Sequence, residues 1–387
     1  MNILLFGTIA GQGGIQSHLR WLAKAIVDGG HQVLIITPQP PDKAGLTWEE
    51  ASHNGIGIYV TRQKIAAANS VQRNAQQILS LIRAVKQFDP DVYLGAGTSW
   101  RFSLLPLVLP QKTHCIFHEV MAGTAGSWRD PRWSVCRLFD EVVAQATPVG
   151  QNFARNFRWQ KAIPTLPAIP EPLEFTAVLP QPVRKRVDLG TAKAALFSRL
   201  IPWKKAFWLV QQWDHLQNVL GELHIHGTGP EEELIQTYIA ERGIGDRVKC
   251  FGRYPEGQAY VDLLSSYDLT LLPTVGPEGA PLVLLESMAC GVPFVAYGTG
   301  GIPDYGVGNP NVIVVPPEPW ETDQAIEYTI PKDGSQETRA FVTAVNQMAQ
   351  KLAMGKINQE ELQQFYLERY SYSVLKNAWL NYLQQLV

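Results

Sequence analysis

The stretch Pro273–Gly301 reads PTVGPEGAPLVLLESMACGVPFVAYGTGG and decides the fold of the second half of the chain. An apolar run over Leu269–Thr274 ends in a loop of glycine and proline, and a segment of helical length follows from Leu282 to about Cys290. Another apolar run then covers Pro293–Gly298. Strand, loop, helix and strand in this order predict one unit of a parallel sheet with a crossover helix.

The same alternation of short apolar runs and helix-period segments extends outward over the whole chain. Neighbouring runs are mostly about 20 to 30 residues apart, the length of one βα unit. The predicted strands in the first half are Asn2–Gly7, Gln32–Thr37, Gly57–Val60, Asp91–Ala96, His114–Glu119 and Glu141–Ala146. Those in the second half are Ala195–Ser198, Leu223–Gly227, Val248–Gly252, Leu269–Thr274, Pro293–Gly298 and Val312–Pro316. This pattern predicts an α/β protein with two Rossmann-like, doubly wound domains.

A proline-rich stretch separates the two sets of strands. Pro164–Pro182 contains six prolines in nineteen residues, which excludes a continuous helix or a central strand. We therefore predict an N-terminal domain over 1–165, a linker over 166–190 and a C-terminal domain over 191–369. Residues 370–387 should form a terminal amphipathic helix that packs back on the N-terminal domain. We expect the carboxyl ends of both sheets to face a central cleft, because ligands bind at such ends.

Composition excludes several classes of protein. The chain of 387 residues is 45% hydrophobic and 18% charged with a net charge of −2, which is typical of a soluble globular protein and not of a disordered chain or a nucleic-acid binder. Its four cysteines are far apart and suggest neither a zinc site nor a disulfide framework. No apolar run is long enough to span a membrane, and the N-terminus lacks the basic residues of a signal peptide. We expect a cytoplasmic location.

The loop after the first predicted strand is rich in glycine. A helix predicted over Leu19–Val27 follows it, and glycines before a helix N-terminus suit phosphate, with Gly13 and Gly14 as candidates. Gln16 stands where the dinucleotide fingerprint has its third glycine, so a nicotinamide dehydrogenase is disfavoured. A merely tight strand-to-helix turn is the alternative.

Glu286 lies in the middle of the most apolar predicted helix. A buried carboxylate needs partners, which makes it a candidate for binding hydroxyl groups of a ligand. The alternatives are a solvated residue and a structural ion pair.

Five segments in the same order resemble the retaining glycosyltransferase family 4, which has the GT-B fold. They extend over nearly the whole chain, so their combination is more specific than any one of them. The segments are Gly13-Gly14 with His18 and Leu22-Ala23, Ser198–Lys204, His226–Pro230, Asp246–Gly252, and Glu278 to Glu286 followed by Gly300–Asp304.

The resemblance implies that the C-terminal domain binds a nucleotide diphosphate sugar. Arg199 and Lys204 would neutralise the diphosphate, although Lys204 and Lys205 could also be a solvated basic pair. The start of the buried helix would supply further donors to the phosphates. The residues of that start are Ala280, Pro281, Leu282 and Val283, of which Pro281 has no N–H and stands where a first-turn proline is tolerated.

The resemblance also assigns roles to groups around the sugar and the nucleoside. Glu286 would accept the ribose hydroxyls and Glu278 the hydroxyls of the transferred sugar, because carboxylates suit vicinal diols. His118, at the end of a strand, would contact the sugar and the leaving phosphate, unless it is a satisfied structural histidine. The segment that would face the base consists of Phe251, Gly252 and Arg253. Two further carboxylates are weaker candidates, namely Glu119 on the opposite strand face and Asp304 in place of the more common glutamate.

The implied function is that of a retaining hexosyltransferase in polysaccharide or glycoconjugate synthesis. It would move glucose from a UDP-sugar to a saccharide or a lipid-linked saccharide. We expect no metal, since Asp89-Pro90-Asp91 precedes a strand instead of ending one, and we expect no nucleic-acid partner. A nucleotide-sugar epimerase of the same fold and a non-catalytic nucleotide-sugar-binding protein are the alternatives.

A cluster of cations and aromatic residues is a candidate surface for an acceptor or for peripheral contact with the anionic inner face of a membrane. An ordinary exposed face beside the linker is the alternative. The cluster consists of Arg155–Lys161 together with Trp128, Arg129, Arg132 and Trp133.

Overall fold

The computed structural model describes residues 1–9, 13–38, 56–60, 70–124, 127–182, 186–276, 278–316 and 336–386. The chain divides into two compact units. Unit 1 consists of Met1–Glu171 and Tyr372–Val387, and unit 2 consists of Pro172–Ser371.

Unit 1 is built on a six-stranded parallel sheet. Its strands are β1 Asn2–Phe6, β2 Gln32–Thr37, β3 Ile56–Val60, β4 Val92–Ala96, β5 His114–Glu119 and β6 Glu141–Ala144. They pair in the order β3-β2-β1-β4-β5-β6. All except β3, at one edge of the sheet, are largely buried, as expected for a parallel sheet covered by helices on both faces.

The described helices of unit 1 are α1 Gly14–Asp28, α2 Ser70–Phe88, α3 Trp100–Ser103, α4 Val135–Leu138, α5 Thr147–Phe157 and the C-terminal helix Tyr372–Gln384. Two 3₁₀ turns, Leu105–Val108 and Pro131–Ser134, follow α3 and precede α4. Helix α1 begins at Gly14, five residues before the start at Leu19 that its apolar spacing predicted. The Ser17 N–H already donates to the Gly13 carbonyl at 3.0 Å, so helical hydrogen bonding begins in the glycine-rich loop.

The C-terminal helix completes the core of unit 1. Its Leu375, Trp379 and Leu383 are buried in the same cluster as residues of β1 and α1. The Trp379 indole N–H donates a hydrogen bond to the carbonyl of Pro167 at 3.3 Å. A large aromatic side chain buried in this way contributes several kcal/mol to stability, about 3–5 kcal/mol on truncation to alanine in other proteins.

Unit 2 repeats the architecture of unit 1. Its strands are β7 Ala192–Phe197, β8 Leu220–His226, β9 Val248–Gly252, β10 Leu269–Leu272, β11 Phe294–Tyr297 and β12 Ile313–Val315. They pair in the order β12-β11-β10-β7-β8-β9. All the described pairings are parallel. The predicted α/β class with two doubly wound domains is therefore confirmed.

The described helices of unit 2 cover both faces of this sheet. They are α6 Leu173–Thr176, α7 Ala206–Gln211, α8 Trp213–Leu216, α9 Glu232–Glu241, α10 Gln258–Ser265, α11 Leu282–Ala289, α12 Ile302–Gly306, α13 Gln336–Ala353 and α14 Gln359–Arg369. The C-terminal helix of unit 1, Tyr372–Gln384, is accordingly α15. Among the described helices, none combines the length and the hydropathy needed to cross a bilayer.

The strand order creates one topological switch point in each sheet. In unit 1 it lies between β1 and β4, and in unit 2 it lies between β7 and β10. Helices leave the two strands of such a pair toward opposite faces, so a crevice opens at their carboxyl ends and ligands bind there.

Candidate active site

The predicted phosphate and sugar residues of unit 2 lie at its switch point. Strand β7 ends at Phe197 and leads to Arg199 and Lys204, while β10 ends at Leu272 and leads to Glu278. Two segments far apart in sequence therefore meet at one edge of one sheet.

An ion pair joins these two segments. The Lys204 ammonium donates to the Glu278 carboxylate, and the Thr274 hydroxyl donates to the same carboxylate oxygen at 2.8 Å. The Lys204 side chain is only 13% exposed and that of Glu278 only 12% exposed, so solvent screens the pair weakly. The structure brings together the predicted diphosphate cation and the predicted sugar-binding carboxylate.

Lys205 has a structural environment. It is buried, and its ammonium lies 5.2 Å from the ring of Trp208 and 5.6 Å from that of Tyr297, within the range of cation–π interaction. The alternative in which Lys204 and Lys205 form a solvated basic pair is therefore wrong.

Close backbone contacts fix the loop that carries Glu278. Gly300 has φ +56°, and a Cβ atom at this position would lie 1.6 Å from the Glu278 carbonyl oxygen. A Cβ on Gly276 would lie 2.3 Å from the ring of Trp203, whose carbonyl accepts the Val275 N–H at 2.9 Å. Only glycine fits either position without movement of the loop.

The segment that carries Arg199 is held in a similar way by two glycines. Gly227, with φ +136°, would place a Cβ 1.7 Å from the Ser198 carbonyl oxygen. A Cβ on Gly229 would lie 2.4 Å from the Leu200 carbonyl oxygen. These glycines let the end of β8 approach the backbone beside Arg199, whose own side chain is exposed. From the sequence alone, the segment His226–Pro230 is only part of the family resemblance, which does not predict the contact of its glycines with the backbone beside Arg199.

Glu286 lies on α11 and is partly buried, and it has the partner that a buried carboxylate requires. The Tyr260 hydroxyl donates to its Oε2 atom at 2.7 Å. Burial, with a smaller contribution from the Glu286 charge, raises the pKa of Tyr260 well above its usual value, so the phenol stays protonated and remains a donor. The ring of Tyr254 stacks on Tyr260 with centroids 5.3 Å apart. Tyr260 could not be identified from the sequence, since the partner of a buried carboxylate cannot be read from spacing.

The start of α11 differs from the expectation at one residue. Pro281 has φ −67° and ψ 110° and precedes the first helical residue, Leu282, so it lies just before the first turn. Leu282 is buried, and Ala280 and Val283 are partly buried. The helix spans eight residues and ends at Ala289.

The predicted base-binding segment lies at the end of β9. Phe251 is 53% exposed and stacks on His226 at 5.1 Å, and His226 stacks in turn on Phe197 at 4.7 Å. The Gly252 carbonyl accepts the Gly227 N–H at 2.6 Å. Arg253 is exposed and pairs with Glu256 at 3.2 Å.

In unit 1, His118 is completely buried beside His18 and Trp379. The Ile169 N–H donates to His18 Nδ1 at 2.9 Å, so a neutral His18 carries its proton on Nε2 and donates it to His118 Nδ1 at 3.2 Å. His118 must then be protonated at Nε2, which has no hydrogen-bond partner among the described residues. Since the His118 ring has no exposed surface in the structure, its contact with a sugar stays a prediction.

The other predicted groups of unit 1 have varied environments. Helix α1 begins at Gly14, and the carbonyl of Gly13 accepts the Ser17 N–H at 3.0 Å, while residues 10–12 of the same loop lie outside the described ranges. Glu119 is buried and accepts from Arg132 at 2.9 Å. In unit 2, Asp304 lies in the first turn of α12.

The carboxylates of the segment Asp89-Pro90-Asp91 make structural contacts within unit 1. Lys112 pairs with Asp89 at 2.7 Å and with Asp91 at 3.3 Å, and Asp91 also accepts the N–H of Asn2 at 2.8 Å. Both carboxylates lie before β4, at the sheet edge opposite to the one where ligands bind.

The predicted surface of cations and aromatic residues is wrong in part. Arg132 is buried and bonded to Asp130 and Glu119, and Phe157 and Trp159 are buried as well. Burying this guanidinium is tolerable because two carboxylates accept its protons. Trp128, Arg129 and Trp133 are exposed, as predicted.

Two family models match the chain, one in each unit. The model described as Glycosyltransferase Family 4 matches residues 12–166, and the model described as Glycosyl transferases group 1 matches residues 192–330. Together they cover about three quarters of the chain. The chain therefore belongs to the glycosyltransferases of the family 4 and group 1 type, as the resemblance predicted.

Two curated relatives are similar over most of this chain but are longer than it. An exopolysaccharide phosphotransferase of Streptomyces coelicolor is 32% identical over 265 residues, which are 67% of this chain and 26% of that protein. A human phosphatidylinositol N-acetylglucosaminyltransferase component is 20% identical over 310 residues, which are 76% of this chain and 60% of that protein. The chain thus spans about a quarter of the first relative and less than two thirds of the second.

A solved structure has the same fold. The structure of Anabaena Alr3699/HepE in complex with UDP and glucose matches with a TM-score of 0.72, covering 99% of each chain at 16% sequence identity. The predicted GT-B fold class is thereby confirmed.

We predict that acid destabilises unit 1 through its buried histidines. Burial lowers the pKa of His18 from 6.5 to about 3, and that of His118 in the same direction. The unfolded chain therefore binds more protons between pH 6.5 and about 3, so stability should fall as the pH drops through this window. Each histidine should contribute about 1 kcal/mol per pH unit. Urea unfolding at pH 7, 6 and 5 should show a smaller pH dependence for His18→Gln, and equal slopes would contradict the prediction.

We also predict that Tyr260→Phe weakens UDP binding about tenfold. The substitution removes the hydroxyl that orients Glu286 and leaves the packing of the ring in place. The matched control is Tyr254→Phe, which removes a hydroxyl from the stacked neighbouring ring and should change affinity less than threefold. Calorimetric titration with UDP measures both variants. Similar affinity in the two variants would show that Tyr260 does not position a nucleotide-binding group.

Proposed function

We propose that the chain is a retaining hexosyltransferase that transfers glucose from UDP-glucose to a saccharide or a lipid-linked saccharide. The observation that carries the proposal is the Lys204–Glu278 ion pair at the switch point of unit 2. It presents a cation for a diphosphate and a carboxylate for sugar hydroxyls side by side, at the sheet edge where ligands bind.

The cations suit the departure of a nucleoside diphosphate. Negative charge grows on the leaving phosphate as the bond to the sugar breaks, so fixed cations there stabilise the transition state more than the bound substrate. Lys204 is held in place by Glu278, while Arg199 is exposed on a segment fixed by Gly227 and Gly229. We call Arg199 and Lys204 the clamp. Because both lie on fixed segments, their backbone need not rearrange during the reaction.

The two carboxylates have different partners and hence different proposed roles. Glu286, oriented by Tyr260, accepts hydrogen bonds from the ribose hydroxyls. Glu278 accepts from the hydroxyls of the transferred sugar while it keeps its contact with Lys204. This division makes both the nucleotide and the sugar necessary for a complete set of contacts.

Configuration is retained in the proposed reaction. The bond between the anomeric carbon and the phosphate oxygen breaks, and the acceptor oxygen bonds to the same face of the sugar. The leaving phosphate oxygen takes the proton of the acceptor hydroxyl, so UDP leaves as that proton is transferred. The proposal is supported by the engagement of Glu278 with Lys204 and Thr274, which suits it poorly to a nucleophilic role.

The substrates are proposed from the relatives. The Anabaena protein of the same fold binds UDP and glucose, which supports UDP-glucose as donor. The names of the two curated relatives refer to an exopolysaccharide and to phosphatidylinositol, which supports a saccharide or lipid-linked acceptor. The site of action would be the cytoplasm, with peripheral contact at the inner face of the membrane. An epimerase or a non-catalytic binding protein is not favoured by these relatives.

We predict that Arg199→Ala and Lys204→Ala each lower turnover of UDP-glucose on the order of 10²- to 10³-fold, equivalent to about 3–4 kcal/mol of transition-state stabilisation. Lys193→Ala is the matched control, because Lys193 lies at the other end of the same strand and is 50% exposed. UDP release measures turnover.

The donor is identified beforehand by thermal shift with UDP-, GDP- and ADP-sugars, since a ligand at 100 times its Kd adds about 2.7 kcal/mol. Stabilisation by a GDP- or ADP-sugar but not by UDP-glucose would overturn the choice of donor. Retention of more than a third of the activity by either clamp variant would remove that residue from the clamp.

Metal independence is a further part of the proposal. The two carboxylates proposed to contact the donor are already bonded to protein groups, Glu278 to Lys204 and Glu286 to Tyr260, and the described residues contain no cluster of three metal-ligating side chains. We predict that excess EDTA changes UDP release less than twofold. A drop of more than tenfold that Mn²⁺ or Mg²⁺ restores would show that a metal neutralises the leaving group.

A further inference from the structure

Large apolar side chains are exposed on unit 1 in two segments that have no role in the proposed glycosyl transfer step. One segment, 100–108, contains α3 and the 3₁₀ turn after it, and the other, 127–138, contains the turn Pro131–Ser134 and α4. The exposed apolar residues are Trp100 (51% exposed), Leu104 (42%), Leu107 (65%), Trp128 (79%) and Trp133 (37%). Exposed tryptophans are costly in water, so three of them in two short segments call for a physical explanation.

The two segments lie on one side of unit 1. They follow the carboxyl ends of β4 and β5, which are neighbouring strands paired through Ala96 and His118. Helix α3 packs against the turn Pro131–Ser134, so the segments are also adjacent beyond the sheet. We call the exposed residues of 100–108 and 127–138 the tryptophan surface.

The buried side chains beneath this surface hold it in place. Phe102 of α3 packs on Phe117 of β5 at 5.5 Å, and the Trp133 ring packs edge-on against Phe157 at 5.0 Å. The Trp133 indole N–H donates to the Ser127 carbonyl at 3.2 Å. The exposed tryptophans therefore belong to an ordered part of unit 1.

The tryptophan surface is also positively charged. Arg101, Arg129 and Arg137 are exposed, and the Arg129 guanidinium lies 4.7 Å from the ring centre of Trp128. The only acidic residue in the two segments is Asp130, which is buried and bonded to Arg132. The exposed part thus carries three cations and no carboxylate.

We propose that the tryptophan surface docks on a lipid bilayer that contains anionic phospholipids. Tryptophan favours the membrane interface because its ring is apolar and its N–H is polar, and arginines interact with lipid phosphates. The alternation of cations with exposed aromatic residues fits a charged, apolar boundary of this kind. Three exposed cations without an exposed carboxylate in the two segments complement the uniform negative charge of an anionic bilayer.

Docking by this surface would bring the connections that follow β4 and β5 to the bilayer. A lipid-linked acceptor is then presented to unit 1 in two dimensions instead of three. The purpose of docking rests on the proposed function, whereas docking itself does not, so vesicle binding is measured without any sugar donor. Failure of docking would leave glycosyl transfer to a soluble acceptor possible, and failure of transfer would leave docking possible.

The experiment is co-sedimentation of the full chain with vesicles of phosphatidylcholine and phosphatidylglycerol, compared with vesicles of phosphatidylcholine alone. We expect binding that is at least tenfold stronger with about 30% phosphatidylglycerol and that decreases at least fivefold when salt is raised from about 0.1 to 0.5 M. Arg129→Glu/Arg137→Glu should weaken binding at least tenfold, and so should Trp100→Ser/Trp128→Ser.

Matched controls separate the tryptophan surface from total charge and total hydrophobicity. Arg83→Glu/Lys86→Glu makes the same change of charge on exposed residues of α2, near the amino ends of the strands, and should bind within twofold of the unaltered protein. Leu234→Ser/Met354→Ser removes exposed apolar side chains from unit 2 and should do the same. Because all substituted residues are exposed, thermal unfolding should be nearly unchanged.

Three outcomes would overturn the proposal. The first is equal binding to the two kinds of vesicle, and the second is equal loss of binding in the test and control variants. The third is a change of oligomeric state, measured by light scattering, in Trp100→Ser/Trp128→Ser without a change in vesicle binding. That last result would identify the surface as a contact with a second copy of the chain.

Discussion

The contact between Lys204 and Glu278 is the constraint on which the arrangement of unit 2 depends. Neither charge could be so poorly exposed alone, because an isolated ion of this kind would lose several kcal/mol of hydration. The pair joins the segments after β7 and β10, the two neighbouring strands at which the strand order of the sheet reverses. The glycines at 227, 229, 276 and 300 permit the close backbone contacts that bring these segments within reach of each other.

The fold could be predicted from the sequence because its signals are local. Central strands of a parallel sheet are apolar on both faces, and each is punctuated by glycine or proline, so all twelve described strands correspond to predicted ones. The start of α1 was missed since Gly14 is a poor helix former and its helical state is imposed by the residues after it. Pro281 could be placed near the start of α11, but its position just before the first turn depends on backbone angles.

The contacts within the site could not be predicted, because they join residues far apart in the chain. The partner of Glu286 is Tyr260 and that of Glu119 is Arg132, and in neither case does a spacing rule connect them. The enclosure of His118 depends on Trp379 from the other end of unit 1. Motif resemblance could place each residue on its strand end, loop or helix, but it could not identify the protein groups that bond to each side chain.

The C-terminal helix makes unit 1 discontinuous in sequence, since all of unit 2 is inserted between Glu171 and Tyr372. The ribosome therefore synthesises all of unit 2 before the residues that complete the core of unit 1. Until Trp379 emerges, the rings of His18 and His118 lack the indole that packs against them. The N-terminal unit is thus the first to be synthesised and the last to be completed, and a chain cut short near its end would retain an intact unit 2 beside an unfinished unit 1.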